Sequence, residues 1–190
     1  MSHDEARLAG LVRAAPGFME ALRAGRELGL AQWCIGAGAL RNLVWDALHG
    51  HAHPSEPADV DFAYFCSLDL GAERDAALQR RLGERLPGLP WEVTNQAGVH
   101  LWFERCFGHA VAPLHSLHEA VATWPEPATA VGVWLDDTDA LQIIAPYGLG
   151  DLLGMRIRRN PVRASLETYR QRCASKRYTE RWPRVVVEPA

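Results

Sequence analysis

Leu8, Leu11, Val12, Ala15, Met19 and Leu22 recur at intervals of three and four, which is the spacing of an amphipathic helix, and Asp4 to Leu28 reads as helical. Pro16 falls inside that pattern and predicts a break into two helices near Ala15. Leu30 to Ile35 is a short apolar run ending in glycine and reads as a buried strand, followed by a tight turn at Gly36-Ala37-Gly38. Ala39 to Leu48 then carries Leu40, Leu43, Val44, Ala47 and Leu48 on one helical side. His49 to Ala58 is a polar, proline-bearing loop, and Val60 to Phe65 is a strand. Ala72 to Leu86 is an amphipathic helix stopped by Pro87-Gly88. Trp91 to Thr94 is a strand, and Val99 to Phe103 alternates well enough to be another. Leu114 to Thr123 reads as helix. Ala130 to Leu135 and Ala140 to Ala145 flank Asp136-Asp137-Thr138-Asp139, which has the turn chemistry of a hairpin with an exposed tip. Leu149 to Ile157 and Pro161 to Lys176 complete the helical segments.

Strands and helices interleave without a strict βαβ rhythm. The expected fold class is therefore α/β (α+β), a mixed central sheet of about five strands packed by helices mainly on one face. The 190 residues suit one domain. Within it, 1–30 would be N-terminal helices, 31–155 the core, and 156–190 a basic helical extension.

Composition narrows the partners. Hydrophobic residues make up 48% and charged residues 23%, and the formal net charge is -3. That balance excludes a broad electrostatic grip on nucleic acid. No apolar run approaches the roughly 18–20 residues that cross a bilayer. Met1-Ser2-His3-Asp4-Glu5 lacks the pattern of a signal peptide, and the four scattered cysteines form no CxxC pair. A cytoplasmic protein with reduced thiols is expected.

Three pieces carry candidate chemistry. In Gly36-Ala37-Gly38-Ala39-Leu40-Arg41-Asn42 a strand runs through glycines into a helix. Such a turn presents backbone N–H groups at a positive helix end, which suits a phosphate, and glycine allows close approach. In Asp59-Val60-Asp61-Phe62 the two acids lie on one side of a strand and Val60 and Phe62 on the other. Like charges held together call for a hard divalent cation, and magnesium favours carboxylates plus substrate phosphates. In Trp91-Glu92-Val93 a lone acid sits between apolar neighbours. It would complete a two-metal site and accept a proton from an attacking hydroxyl.

The turn and the Asp59-Val60-Asp61-Phe62 segment together resemble the head domain of CCA-adding enzymes, within the DNA polymerase beta-type nucleotidyltransferase superfamily. More closely, the chain is similar to a small bacterial family of stand-alone nucleotidyltransferases. That match is carried by Trp33-Cys34-Ile35-Gly36-Ala37-Gly38, Arg41-Asn42-Leu43-Val44-Trp45-Asp46, Trp91-Glu92-Val93-Thr94-Asn95-Gln96-Ala97, Thr129-Ala130-Val131-Gly132-Val133, Ile144-Ala145-Pro146-Tyr147-Gly148-Leu149 and Lys176-Arg177-Tyr178. The resemblance implies transfer of a nucleoside monophosphate from a nucleoside triphosphate (NTP), with pyrophosphate leaving. It implies two Mg2+ ions (or Mn2+) on Asp59, Asp61 and Glu92, with Gly36, Ala37, Gly38, Arg41 and Asn42 against the nucleotide. The acceptor, a small molecule, a protein or an RNA end, is not specified.

Two positions depart from the superfamily pattern and a third from that of the closer family. The turn has no hydroxyl at Ala37-Gly38-Ala39, Asn42 stands where an Asp usually follows the arginine, and Cys66 follows the Tyr64-Phe65 pair. They support an alternative, a catalytically inactive nucleotide-binding or regulatory module on the same fold. A Rossmann-type dinucleotide domain is disfavoured because Arg41 occupies the place of the third fingerprint glycine.

Among the remaining polar residues, His49, His51 and His53 are expected in a solvated loop. Asn95-Gln96 suits turn capping. The basic run Arg156, Arg158, Arg159, Arg163, Arg170, Arg172, Lys176 and Arg177 reads as a solvated face or, more sharply, a docking strip for a phosphate-bearing acceptor.

Overall fold

The computed structural model describes residues 1–189. Helix α1 (His3–Arg13) opens on a capping box in which Ser2 and Glu5 satisfy each other's backbone N–H groups. Pro16 begins α2 (Pro16–Arg26), so the proline separates two helices as its missing N–H requires. The chain continues through β1 (Trp33–Gly36), α3 (Ala37–His49), β2 (Val60–Tyr64), α4 (Ala72–Arg85) and β3 (Trp91–Asn95). A short 3-10 turn leads to α5 (His100–Phe107) and α6 (Leu117–Ala122). Then come β4 (Gly132–Leu135), β5 (Leu141–Ile144), α7 (Gly150–Leu153), β6 (Arg156–Ile157), α8 (Leu166–Lys176), α9 (Tyr178–Arg181) and β7 (Val186–Val187).

Five strands form one mixed sheet in the order β3-β2-β1-β4-β5. Within this sheet only β2 and β3 run parallel, joined by α4 as the crossover helix. A separate two-stranded sheet pairs β6 with β7. Alternation along the strands divides the apolar residues between two faces. Trp33, Ile35, Phe62, Tyr64, Trp91 and Val93 enter the large core beneath the helices, where the rings of Trp33 and Phe62 stack 5.4 Å apart. Cys34 and Ala63 enter a thin second cluster covered by α6 through Leu117 and Val121. The mixed α/β sheet with helices mainly on one face is therefore the fold observed.

Two elements differ from the sequence expectation. Val99 to Phe103 lies at the start of helix α5 and not in a strand. Val99 and Phe103, four apart, are buried while Leu101 is 64% exposed, so the helical period overrides the local alternation. Leu149 to Ile157 is a single helical turn and then a strand. The chain turns at Gly154, and Met155 takes a positive φ of 55° before β6 pairs with β7.

The hairpin tip is exposed at Asp137 and Thr138, as expected, and its flanking residues tie it to the helices. Arg26 donates to Asp139 Oδ1 at 2.8 Å, and Arg13 donates to the Asp139 carbonyl, which ties the tip to α1 and α2. Asp136 accepts from the Thr138 hydroxyl, the Ala140 N–H and Gln142, and these bonds hold its carboxyl near pKa 2.

The basic C-terminal segment is part of the main core. Tyr178 and Trp182 meet Trp45 of α3 edge-on at 6.0 and 5.3 Å, and the Trp182 indole donates to Asp46 Oδ1 at 2.8 Å. Asp46 also accepts from the N–H and hydroxyl of Ser55, so this buried carboxylate binds α3, the His-Pro loop and α9 together.

Candidate active site

Strand register gathers the acids. Asp61 stands directly opposite Glu92 in the parallel β2–β3 pair, so both side chains leave the same face. Asp59 immediately precedes β2. In the β1–β2 pair Ile35 faces Phe62, and one step further along places Gly36 beside Asp61. The end of β1 and the starts of β2 and β3 thus meet at one end of the three adjacent strands.

The electrostatics follow from that convergence. Burial, reinforced by the charges of Asp59 and Glu92, pushes the Asp61 carboxyl up to about 7. Lys176 and Arg172 act on it in the opposite sense. Among the described residues, no three His, Cys, Asp or Glu side chains form a closed ligand set. The acids share a field, with Glu92 exposed on its strand. A carboxyl that resists ionisation because it is buried, and further because other carboxylates lie near it, has the donor chemistry that a hard divalent cation satisfies.

The glycine turn divides into two roles. A Cβ on Gly36 would collide with the Val131 carbonyl and come within 3.0 Å of the Gly132 Cα. Gly36 therefore permits β1 and β4 to approach, a packing requirement and not a ligand one. A Cβ on Gly38 would meet only Asp59 Oδ1 at 3.8 Å and Arg41 Nη2 at 3.9 Å. Gly38 is the glycine that faces the acids. Between them Ala37 holds a positive φ of 49°, and its N–H is taken by the Val131 carbonyl. Gly36 has no side chain to cap α3, so the next amides of the first turn remain presented at the helix's positive end.

Arg41 is only 3% exposed. Its guanidinium donates twice to Asn42 Oδ1, at 3.2 and 2.8 Å. The rings of Trp45, Tyr178 and Trp182 surround it with centroids at 5.4, 5.1 and 5.4 Å. All these partners are neutral, and burial pulls the guanidinium below its ordinary value. A buried cation so held, with Nη2 beside Gly38, is suited to an incoming anion.

Sequence reasoning missed Glu126 entirely and treated Arg172 as surface. Glu126 is fully buried, accepts from the Thr129 hydroxyl at 2.8 Å, and takes two bonds from Arg172, at 2.6 and 3.0 Å. The available signal was weak, a lone acid between Pro125 and Pro127.

His49 and His51 make structural contacts, while His53 is exposed. His49 Nδ1 lies 2.8 Å from the Trp45 carbonyl and its Nε2 accepts from the Arg184 N–H. His51 Nδ1 lies 3.0 Å from Asp46 Oδ1. Asn95 donates to the carbonyls of Cys66 and Asp69 and accepts from the Cys66 and Ala97 N–H groups, which is turn capping.

The mixed sheet thus brings two aspartates and a third acid to the ends of adjacent strands, beside a helix that opens on a glycine. The family model described as "Nucleotidyltransferase" matches residues 23–187, and the chain belongs to that family. It is similar to a solved structure described as revealing "a CCA-adding enzyme head domain". The two share 28% identity over 96% of this chain and 95% of that one, with a TM-score of 0.79. No curated protein matches the chain.

Proposed function

We propose that the chain transfers a nucleoside monophosphate from a nucleoside triphosphate to an acceptor, with pyrophosphate leaving. The observation that carries this reading is the placement of Asp61 against Asp59 and Glu92, with the uncapped start of α3 and the buried Arg41 alongside, in a member of a nucleotidyltransferase family. In this reaction an acceptor hydroxyl oxygen bonds to the α-phosphorus. The bond from that phosphorus to the oxygen bridging it to the β-phosphorus breaks, and pyrophosphate takes the electron pair.

Asp59 and Asp61, with Glu92, would hold magnesium or manganese, which when bound would neutralise charge on the phosphates. Asp59 and Asp61 keep the site anionic enough to need that cation. Glu92, exposed and across from Asp61, receives the proton of the attacking hydroxyl. The first-turn amides of α3 and Arg41 orient phosphate oxygens, and Asn42 holds the Arg41 fork in plane. Gly38 leaves room for that approach.

The test is magnesium-dependent pyrophosphate release from a panel of nucleoside triphosphates and acceptors. Wild-type release that disappears in Asp59→Ala and in Asp61→Ala supports the reading. A wild-type chain that neither binds nor turns over any triphosphate with magnesium overturns it. A second reading is favoured by Asn42 and by the hydroxyl-free turn, a module that binds nucleotide without turnover. Tight calorimetric binding with no pyrophosphate released across the panel would select it.

A further inference from the structure

A cavity of about 460 Å³ lies on the helix side of the sheet. Val60 lines it, while alternation sends Asp61, and Glu92 opposite it, out of the other face. One wall is a side of α3, where Asn42, Leu43, Asp46 and Ala47 recur at intervals of three and four. The corner that Pro16 makes between α1 and α2 forms a second wall, with Leu11 and Phe18. The loop between α3 and β2 closes a third side with Pro54, Ser55 and Pro57, and two bonds from Ser55 to Asp46 hold that loop in place. The volume falls among those of pockets that take small molecules, roughly 300–1,000 Å³ with mostly apolar walls.

One polar group in this lining lacks a partner. The Asn42 side chain is 5% exposed. Arg41 can only donate, so its two bonds fix the Asn42 amide with Oδ1 toward the guanidinium. Nδ2 is the free end of that amide, and it donates to no group among the described residues while its side chain lines the cavity. A buried donor left without an acceptor is costly, so a ligand that brings an acceptor recovers that cost. Asp46 makes no such demand. It accepts from the Ser55 N–H and hydroxyl and from the Trp182 indole, and His51 Nδ1 lies 3.0 Å from its Oδ1. A donor or a cation on a ligand therefore finds this carboxylate already engaged, and an anion is repelled by it.

We propose that this cavity binds an uncharged small molecule with an apolar body and one hydrogen-bond acceptor, a carbonyl-type oxygen that receives the Asn42 Nδ2–H. The body lies between the α1–α2 corner and Leu43, under the proline-bearing loop. Asn42 then holds Arg41 with its oxygen and the ligand with its nitrogen. The inference goes beyond the transferase reading and does not depend on it, because none of Asp59, Asp61 and Glu92 lines the cavity.

Acetophenone is the probe, an aromatic ring with one carbonyl acceptor and no charge. Ethylbenzene has the same outline without the acceptor, and benzylammonium carries a cation instead. Each is titrated into the full, isotope-labelled chain and followed by amide shifts in two-dimensional NMR. Acetophenone is expected to shift the amides of Phe18, Leu43, Ala47 and Ser55 saturably. It should bind about fivefold more tightly than ethylbenzene, the worth of one hydrogen bond between neutral groups. Asn42→Asp keeps an acceptor for Arg41 and removes the donor, so it should bring acetophenone down to the ethylbenzene level. Ala47→Phe fills the cavity from an exposed position of α3 and should abolish binding of both. Absence of saturable shifts at those amides with acetophenone overturns the proposal. So does equal affinity of the wild-type chain for acetophenone and ethylbenzene, tighter binding of benzylammonium, or acetophenone binding that survives Ala47→Phe. If Asn42→Asp fails to fold, the comparison of acetophenone with ethylbenzene on the wild-type chain decides the role of the amide. Pyrophosphate release remains the separate test of the transferase reading, so the two failures are distinguishable.

Discussion

A β-carbon added to Gly38 would rest 3.8 Å from Asp59 Oδ1, an ordinary van der Waals contact, whereas one added to Gly36 would strike the Val131 carbonyl. The two glycines of one turn therefore answer to different demands. Gly36→Ala is expected to destabilise the fold by ~1–3 kcal/mol, the range for overpacking a tight interior. Gly38→Ala is expected to leave stability unchanged or raise it by up to about 1 kcal/mol, because helix interiors favour alanine. Its effect should instead be a weakened grip on triphosphate. Chemical denaturation of both variants beside a nucleotide titration checks the pair. A Gly36→Ala protein as stable as wild type would remove the packing account of that glycine.

The raised Asp61 carboxyl gives a pH dependence with a definite sign. The ordinary carboxyl value is 3.8, and in the folded chain it is pushed up to about 7. Between those values the folded state binds the proton more tightly than the unfolded one, so this group's contribution falls as pH rises from about 4 to about 7. In metal-free protein the gap in Tm between Asp61→Asn and wild type should therefore widen in favour of the variant from pH 5 to pH 8. Adding Mg2+ at pH 8 should raise the wild-type Tm and leave the variant nearly unchanged. A gap that stays constant across that range would contradict the burial of Asp61 among like charges.

Arg41 poses a trade between stability and binding. Its guanidinium is hydrogen-bonded only to a neutral amide, and burial outweighs the favourable pull of the Glu126 charge. Arg41→Met keeps a long side chain among Trp45, Tyr178 and Trp182. It should change unfolding free energy by no more than ~1–2 kcal/mol. Triphosphate affinity should drop at least tenfold. Melting curves with and without nucleotide separate the effects, since the ligand-induced Tm rise should shrink in the variant. An undiminished rise would show that Arg41 braces the turn without meeting phosphate.

Trp182 joins the C-terminal segment to the core and also covers Arg41. Trp182→Ala should lower stability by ~3–5 kcal/mol, the range for deleting a large buried ring. Trp182→Phe keeps an aromatic face and loses the bond to Asp46, so its loss should be nearer ~1–3 kcal/mol. Equilibrium unfolding in urea measures both.

Much of this architecture could be read from the pattern of side chains. The break at Pro16, the β1–α3 turn, the β2 acids and the β4–β5 hairpin are local signals, set by one residue or one short period. Glu92 was legible as a lone acid among apolar neighbours that joins the Asp59 and Asp61 pair, while its exact place opposite Asp61 is set by the parallel register that the α4 crossover allows. Val99 to Phe103 was misread because its apolar residues satisfy periods of two and of 3.6 alike, and only burial of Val99 and Phe103 decides between them. Gly36 and Gly38 look equivalent in a motif, and only the approach of β4 tells them apart. Glu126 and Arg172 were out of reach for a different reason. An ion pair spanning 46 residues leaves no periodic trace, and nothing in the basic run marks Arg172 as the member paired with a fully buried acid.

The bond from Trp182 to Asp46 spans 136 residues. During synthesis Asp59, Asp61 and Glu92 emerge long before Tyr178 and Trp182, which wall Arg41. A domain folds as a unit, so neither the buried Asp46 nor the pocket around Arg41 can reach its final form until the C-terminal segment has left the ribosome. A chain that stopped short of Trp182 would leave Arg41 without one of its three aromatic walls.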